Sequence, residues 1–158
     1  METAMKPVFW KLSMGGNDFK DIFNVLDWVR QGLVLVHRDT LALGTSLKAQ
    51  GEEFVAGDRI GEYFYLCNGN KEPSVILLGQ FIGPANLLSD RGDGWADRQF
   101  RWVKTSISTK KYRGVDRWWT PNHNSTFSMV PEKELGMFES SILDPYFGLK
   151  LADFRIDV

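Results

Sequence analysis

The chain carries one cysteine, Cys67, and two histidines, His37 and His123, among 158 residues. A single thiol forms no internal disulfide, and so few soft ligands leave a structural zinc site without its donor set. No apolar run approaches the roughly 18 residues needed to span a bilayer, so no membrane segment is expected. The opening METAMKPVFWK lacks the apolar core of a signal peptide. A reducing, cytoplasmic setting fits these absences. The net charge of −1 excludes a chain that is basic over its whole surface. Internal repeats, low-complexity tracts and a Walker A phosphate loop are missing too. No metal and no cofactor is expected.

What is present is an ordinary globular composition, 43% apolar and 25% charged, in a chain about one domain long. Residues 1–150 are expected to form that domain, with 151–158 a tail or the start of a linker. Aromatic residues make up 13% of the chain and include six tryptophans. That exceeds the usual needs of core filling, and aromatic faces are also what nucleic-acid bases stack on. An aromatic-rich core is the competing reading. Charge is distributed unevenly. Between Arg98 and Arg117 seven basic residues face one acid, Asp116, which makes this stretch +6 and leaves −7 for the rest. A basic strip on an acidic body has the pattern of a directed electrostatic footprint, although a solvated strand and loop would look the same.

Along the chain, Val8 to Leu12 reads as a strand, broken by Gly15-Gly16. Asn17 or Asp18 is then placed to cap a helix. Phe19, Ile22, Phe23, Leu26 and Val29 fall at helical spacing, and Gly32 closes the run. Trp28 lies about 180° round from Phe19, on a face left for solvent, a covering loop or a ligand. Leu33 to Val36 is a short buried strand ending at His37. Arg59 to Cys67 is a further strand, with Ile60, Phe64 and Leu66 expected in the core. Tyr63 and Tyr65 fall on the opposite face, where a hydroxyl can stay wet. A turn at Asn68-Gly69-Asn70 leads to a return strand from Val75 to Ile82. A polar loop, Leu88 to Asp97, precedes a strand from about Arg98 to Ile107. Lys110 to Asn124 reads as a basic, aromatic loop holding Trp118 and Trp119. Pro131, with Glu132 and Glu134, opens a helix whose buried side is Leu135, Phe138 and Ile142. The order predicts an α+β fold: a curved antiparallel or mixed sheet, or open barrel, of five to six strands with flanking helices.

Four segments carry a family resemblance. They are Phe9-Trp10-Lys11-Leu12-Ser13 before a helix bearing Trp28; Gly57-Asp58-Arg59-Ile60 entering an aromatic strand; Val75 to Phe81 with Gly79 at its middle; and Ser128-Met129-Val130-Pro131 before a helix. Together, over roughly residues 7 to 145, they resemble EVE domains, relatives of the YTH and PUA-like folds. Within that group the chain looks most like the N-terminal specificity domain of McrB-type, modification-dependent restriction systems. The resemblance implies a PUA-like barrel that binds double-stranded DNA and holds a flipped, modified base in an aromatic pocket. It also implies a targeting module of a larger assembly, fused to or partnered with an AAA+ motor and a nuclease. One departure is that His37-Arg38 stands where such domains often place a tryptophan, which puts the pocket wall in question.

A flipped base costs a few kcal/mol to unstack, and aromatic faces return about 1–3 kcal/mol each. The candidate wall is Trp28, Tyr65 and Trp95, with Tyr63, Trp118 and Trp119 in reserve. Candidate readers of the base edge are Ser13, favoured by the resemblance, and Asn17 and His37. Capping is the stronger reading for Asn17 and the weaker one for Ser13, and His37 reads better as a strand-end histidine than as a ligand contact. Arg98, Lys110, Lys111, Arg113 and Arg117 are candidate phosphate contacts, which give affinity without sequence information. Trp10 and Trp102 lie in apolar strands and are assigned to the core. No catalytic residue is expected. Asp90, Asp93 and Asp97 lack the twelfth-position glutamate of a calcium loop and read as a solvated acidic loop. The alternatives are an RNA-binding EVE- or ASCH-like module, an RNase, or a protein-interaction domain with tryptophan hot spots.

Overall fold

The computed structural model describes residues 7–13, 27, 29–37, 59–68, 74–84, 86–87, 95–108 and 127–154. Seven strands are defined within them: β1 (Phe9–Ser13), β2 (Leu33–His37), β3 (Tyr63–Asn68), β4 (Ser74–Phe81), β5 (Asn86–Leu87), β6 (Trp95–Thr105) and β7 (Phe127–Met129). They form one mixed sheet in the order β2-β6-β4-β3-β1-β7, with β5 also paired to β6. β1 and β3 run parallel; every other pairing is antiparallel. The class is α+β, and among the described residues the two ends of the strand path, β2 and β7, are not paired with each other.

The central strands are covered on both faces. In β1, Phe9, Trp10, Lys11 and Leu12 are all buried, and in β3 so are Phe64 through Cys67. This is why FWKL and YFYLC read as near-continuous apolar runs rather than a clean alternation. One face gathers Trp10, Leu12, Phe64, Leu66, Phe81, Phe100 and Phe127, with Val29 and Val34 packed in. The other gathers Phe9, Tyr65, Leu78 and the inward side chains of the C-terminal helical segment.

That segment follows Pro131. A 3₁₀ turn (Glu132–Glu134) leads into an α-helical turn (Leu135–Phe138), a π-helical turn (Glu139–Leu143) and a last α-helical turn (Asp144–Phe147). The wide π turn comes just before Pro145, whose nitrogen has no hydrogen to donate back along the helix. Gly148 closes the segment at φ 67°, a left-handed conformation that glycine adopts without a Cβ penalty. Leu135, Phe138 and Ile142 are buried as their spacing predicts.

The chain stays attached beyond the helix. Lys150 donates to Asp144 at 2.7 Å, and this bond raises the lysine pKa above its ordinary value. The Leu151 amide donates to Glu139 at 2.6 Å. Phe154, in a 3₁₀ turn, packs edge-on against Phe9 at 5.2 Å and Tyr63 at 4.8 Å. Phe154, with Leu151 beside it, thus packs into the same core cluster as the helical segment.

Other expectations shift in detail. The strand expected from Arg59 begins at Tyr63, since Arg59–Glu62 form a turn held by Glu62 N–H to Arg59 O at 3.0 Å. Ile60 sits in that turn and is 52% exposed, not in the core. The helix read between Phe19 and Val29 lies almost wholly outside the described residues. No described helix is long and apolar enough to cross a membrane.

Candidate nucleic-acid interface

β6 organises the site. Its eleven residues serve two different neighbourhoods. Trp95 to Gln99 pair with β2 on one side, and Ala96 and Asp97 pair with β5; Phe100 to Thr105 pair with β4. A bulge in the β4 pairing lies between Leu78 and Gly79. The extra residue there is Val103 of β6, so the alternation of the strand shifts after Trp102, and Lys104 faces Leu78 while Trp102 faces Gly79.

At the first half, the register sets Trp95 opposite His37. Two candidate pocket residues, far apart in sequence, thus become cross-strand partners at the end of β2. The next residues differ from expectation. Asp97 is 6% exposed and paired within the sheet, not part of a solvated acidic loop. Arg98 is completely buried; its Nη1 donates to the Gly83 carbonyl at 3.1 Å and its guanidinium lies 5.6 Å from the Phe81 ring centre. It faces the core and cannot reach a phosphate. The sequence reading missed this because Arg98 opens a basic run, whereas alternation places it on the face of Phe100.

The second half is open. Arg101, Trp102, Lys104 and Thr105 are exposed. Arg101 donates twice to Gln80 Oε1, at 3.1 and 2.7 Å, and Gln80 donates on to the Gly61 carbonyl at 3.1 Å. Trp102 is 39% exposed, and its indole N–H donates to Thr105 Oγ1 at 3.0 Å. Its assignment to the core fails: it shares the face of the buried Phe100, but β2 pairs with β6 only as far as Gln99, and among the described residues no strand flanks Trp102 on that side.

The tyrosines of β3 lie elsewhere. Tyr65 is fully buried and faces Phe138, with ring centres 5.8 Å apart. Tyr63 is half-buried, stacked on Phe9 at 5.5 Å. Both do share the face opposite Phe64, as alternation requires. The expectation of a wet hydroxyl on Tyr65 is overturned, since the C-terminal helical segment covers that face, and Tyr65 is unavailable as an open pocket wall.

Ser13 ends β1 opposite Cys67. By register it lies at the other end of the strands from the His37–Trp95 pair, so the sheet does not bring these candidates together. Asn17, Trp28, Trp118, Trp119, Lys110, Lys111, Arg113 and Arg117 lie outside the described residues, as do Asp90 and Asp93. Lys11, unremarked as a charge in the sequence, is fully buried between its register partners Tyr65 and Ser128. Among the described residues no group of three or more His, Cys, Asp or Glu could hold a metal ion.

Comparison with known proteins gives no matching family profile and no matching curated protein. Solved structures do match. The crystal structure of a Pseudomonas syringae protein aligns with a TM-score of 0.52 and 10% identity, over 84% of this chain and 97% of its own. A hypothetical protein from Leishmania major aligns with a TM-score of 0.50 and 12% identity, over 85% of this chain and 93% of its own. The likeness is one of fold. It extends over nearly the whole length of both neighbours.

Proposed function

We propose that the chain is a DNA-binding module of the EVE type that recognises a modified base, acting as the targeting part of a modification-dependent restriction system. The observation that supports this is the open half of β6. There Arg101, Trp102, Lys104 and Thr105 are exposed, on a strand leading in sequence directly to Lys110, Lys111, Arg113 and Arg117. Cations interleaved with aromatics are what a polyanion with stackable bases requires. The His37–Trp95 partnership supplies an aromatic and a hydrogen-bonding side chain at neighbouring backbone positions, the two types needed to hold and read a flipped base. Chemistry is assigned to a separate motor and nuclease, not to this chain.

The test is a fluorescence-anisotropy titration at two salt concentrations. The ligands are matched duplexes: unmodified, 5-methylcytosine, 5-hydroxymethylcytosine and 6-methyladenine, with a single-stranded RNA beside them. Preference for one modified duplex, weakening with salt through counterion release, supports the reading and names the base. Binding to no duplex ends it; binding to RNA alone moves the chain to the RNA-binding class.

A further inference from the structure

On the sheet face opposite Trp102, β6 carries two exposed cations, Arg101 and Lys104. Register sets Arg101 across from Gln80 and Lys104 across from Leu78. Gln80 and Leu78 pair in turn with Tyr63 and Tyr65, so both cations emerge on the face that bears the C-terminal helical segment. Val103, the extra residue between them, packs partly buried against the core cluster of that face and anchors the strand. The bulge thus brings Arg101 and Lys104, three apart in sequence, to positions two residues apart on β4, a spacing of about 6.6 Å.

Arg101 is held in place by a neutral group. Its Nε and Nη2 both donate to Gln80 Oε1, at 3.1 and 2.7 Å, while Gln80 Nε2 donates to the Gly61 carbonyl at 3.1 Å. Gly61 is itself fixed, its N–H donating to the Phe81 carbonyl at 2.8 Å. This relay orients the guanidinium without neutralising it. Arg59 and Lys150, by contrast, lie against the carboxylates of Glu62 and Asp144. Among the described residues no carboxylate pairs with Arg101 or Lys104. Two of the five guanidinium N–H groups are engaged, which leaves three to meet an outside acceptor. An oriented guanidinium with its charge intact, and a second cation beside it, suit two anionic groups at a short, fixed interval. Successive phosphates along one strand of a nucleic acid recur at such an interval.

We propose that Arg101, tethered by Gln80, and Lys104 hold two successive backbone phosphates of one DNA strand. This rests on the DNA-binding reading and deepens it, by assigning phosphate contacts that the buried Arg98 cannot make. The grip supplies affinity and no base preference, because every nucleotide offers the same phosphate. Gln80 is a positioning residue, which touches no phosphate and sets the direction of the fork.

The experiment compares the wild type with Arg101→Ala, Lys104→Ala, the double variant and Gln80→Glu. The probes are an unmodified duplex and a 5-methylcytosine duplex of the same sequence. Anisotropy is read across a salt series from about 50 to 200 mM, with thermal denaturation reporting folding. Arg101→Ala is expected to weaken both duplexes alike, about three- to tenfold at low salt, and to lower the salt slope by about 0.9. Lys104→Ala should lower the slope by the same amount, and the double variant by about twice that. Gln80→Glu sets a carboxylate against the guanidinium, so its slope should fall as in Arg101→Ala. An unchanged slope in Arg101→Ala overturns the grip. So does a loss confined to one of the two duplexes, which is the mark of a base contact, or a double variant that loses no more than either single one. A wild-type slope in Gln80→Glu overturns the role given to the neutral tether. Each of these results leaves the DNA-binding reading standing. A wild-type protein that binds neither duplex overturns both.

Discussion

Trp10 stacks on Phe127 with ring centres 4.1 Å apart and planes 2° from parallel. The Arg59 guanidinium lies 4.5 Å from the Trp10 ring, and the indole N–H donates to Glu62 at 2.7 Å, while Arg59 itself approaches Glu62 at 3.6 Å. One tryptophan therefore ties β1 to β7 through its face and to the turn before β3 through its edge. Trp10→Ala is expected to cost about 3–5 kcal/mol in urea unfolding. Trp10→Phe keeps the stack but loses the indole donor, so it should cost clearly less. If the two variants unfold at the same urea midpoint, the stack is not what stabilises this corner.

Gly79 is needed for space. A Cβ there would come 2.6 Å from Phe64 Cζ and 2.8 Å from Phe100 Cδ2, and both rings are buried. Neither can swing into solvent, so Gly79→Ala should destabilise the fold by about 1–3 kcal/mol through overpacking. A neutral result in chemical denaturation would mean that the rings can repack together.

Arg98 and Lys104 belong to the same basic strip but are expected to answer different assays. Arg98→Ala removes a buried donor to Gly83 and should cost about 1–3 kcal/mol of stability. Arg98→Lys should recover little, because an ammonium does not reproduce the planar fork. Lys104→Ala should leave the urea midpoint in place and lower the salt slope of DNA binding by about one. An Arg98→Ala protein as stable as wild type would contradict the interior placement.

Tyr146 is buried, and desolvation raises its pKa above the ordinary value near 10. The folded state therefore holds the phenolic proton more tightly than the unfolded chain does. Its contribution is complete below about pH 10 and is lost as pH rises through the raised folded value. Stability measured across the alkaline range should fall less steeply in Tyr146→Phe than in the wild type. Superimposable alkaline profiles would show that this hydroxyl is not linked to folding.

The sheet was legible in the sequence because its strands carry long apolar stretches closed by glycine, proline or asparagine. β2, β4 and the helix after Pro131 fall close to where pattern places them. What a linear pattern does not carry is the second cover. Tyr65 looks like a half-wet strand residue until Phe138 and Phe147, more than seventy residues later, are laid over its face. Phe154 was read as tail for the same reason. In β6 the difficulty was different: Arg98, Phe100 and Trp102 share one face by alternation, and how far each is covered depends on where β2 stops pairing, at Gln99, which has no signature in β6 itself. The His37–Trp95 pairing depends on register, and only the fold supplies that. Sequence thus proposed both residues separately without knowing that they are paired in register.

The parallel pairing of β1 with β3 has a bearing on how the chain is made. β1 leaves the ribosome first, yet its partner β3 begins 50 residues after β1 ends. Its other neighbour, β7, comes later still. The antiparallel β3–β4 hairpin, joined by five residues, can close soon after it emerges, and β6 can add to it next. Pulse-labelled amides should accordingly become protected in β3 and β4 before β1. Until then Phe9, Trp10 and Leu12 lack the strands that pair with β1 in the finished sheet, so β1 is the segment expected to need protection from aggregation during synthesis.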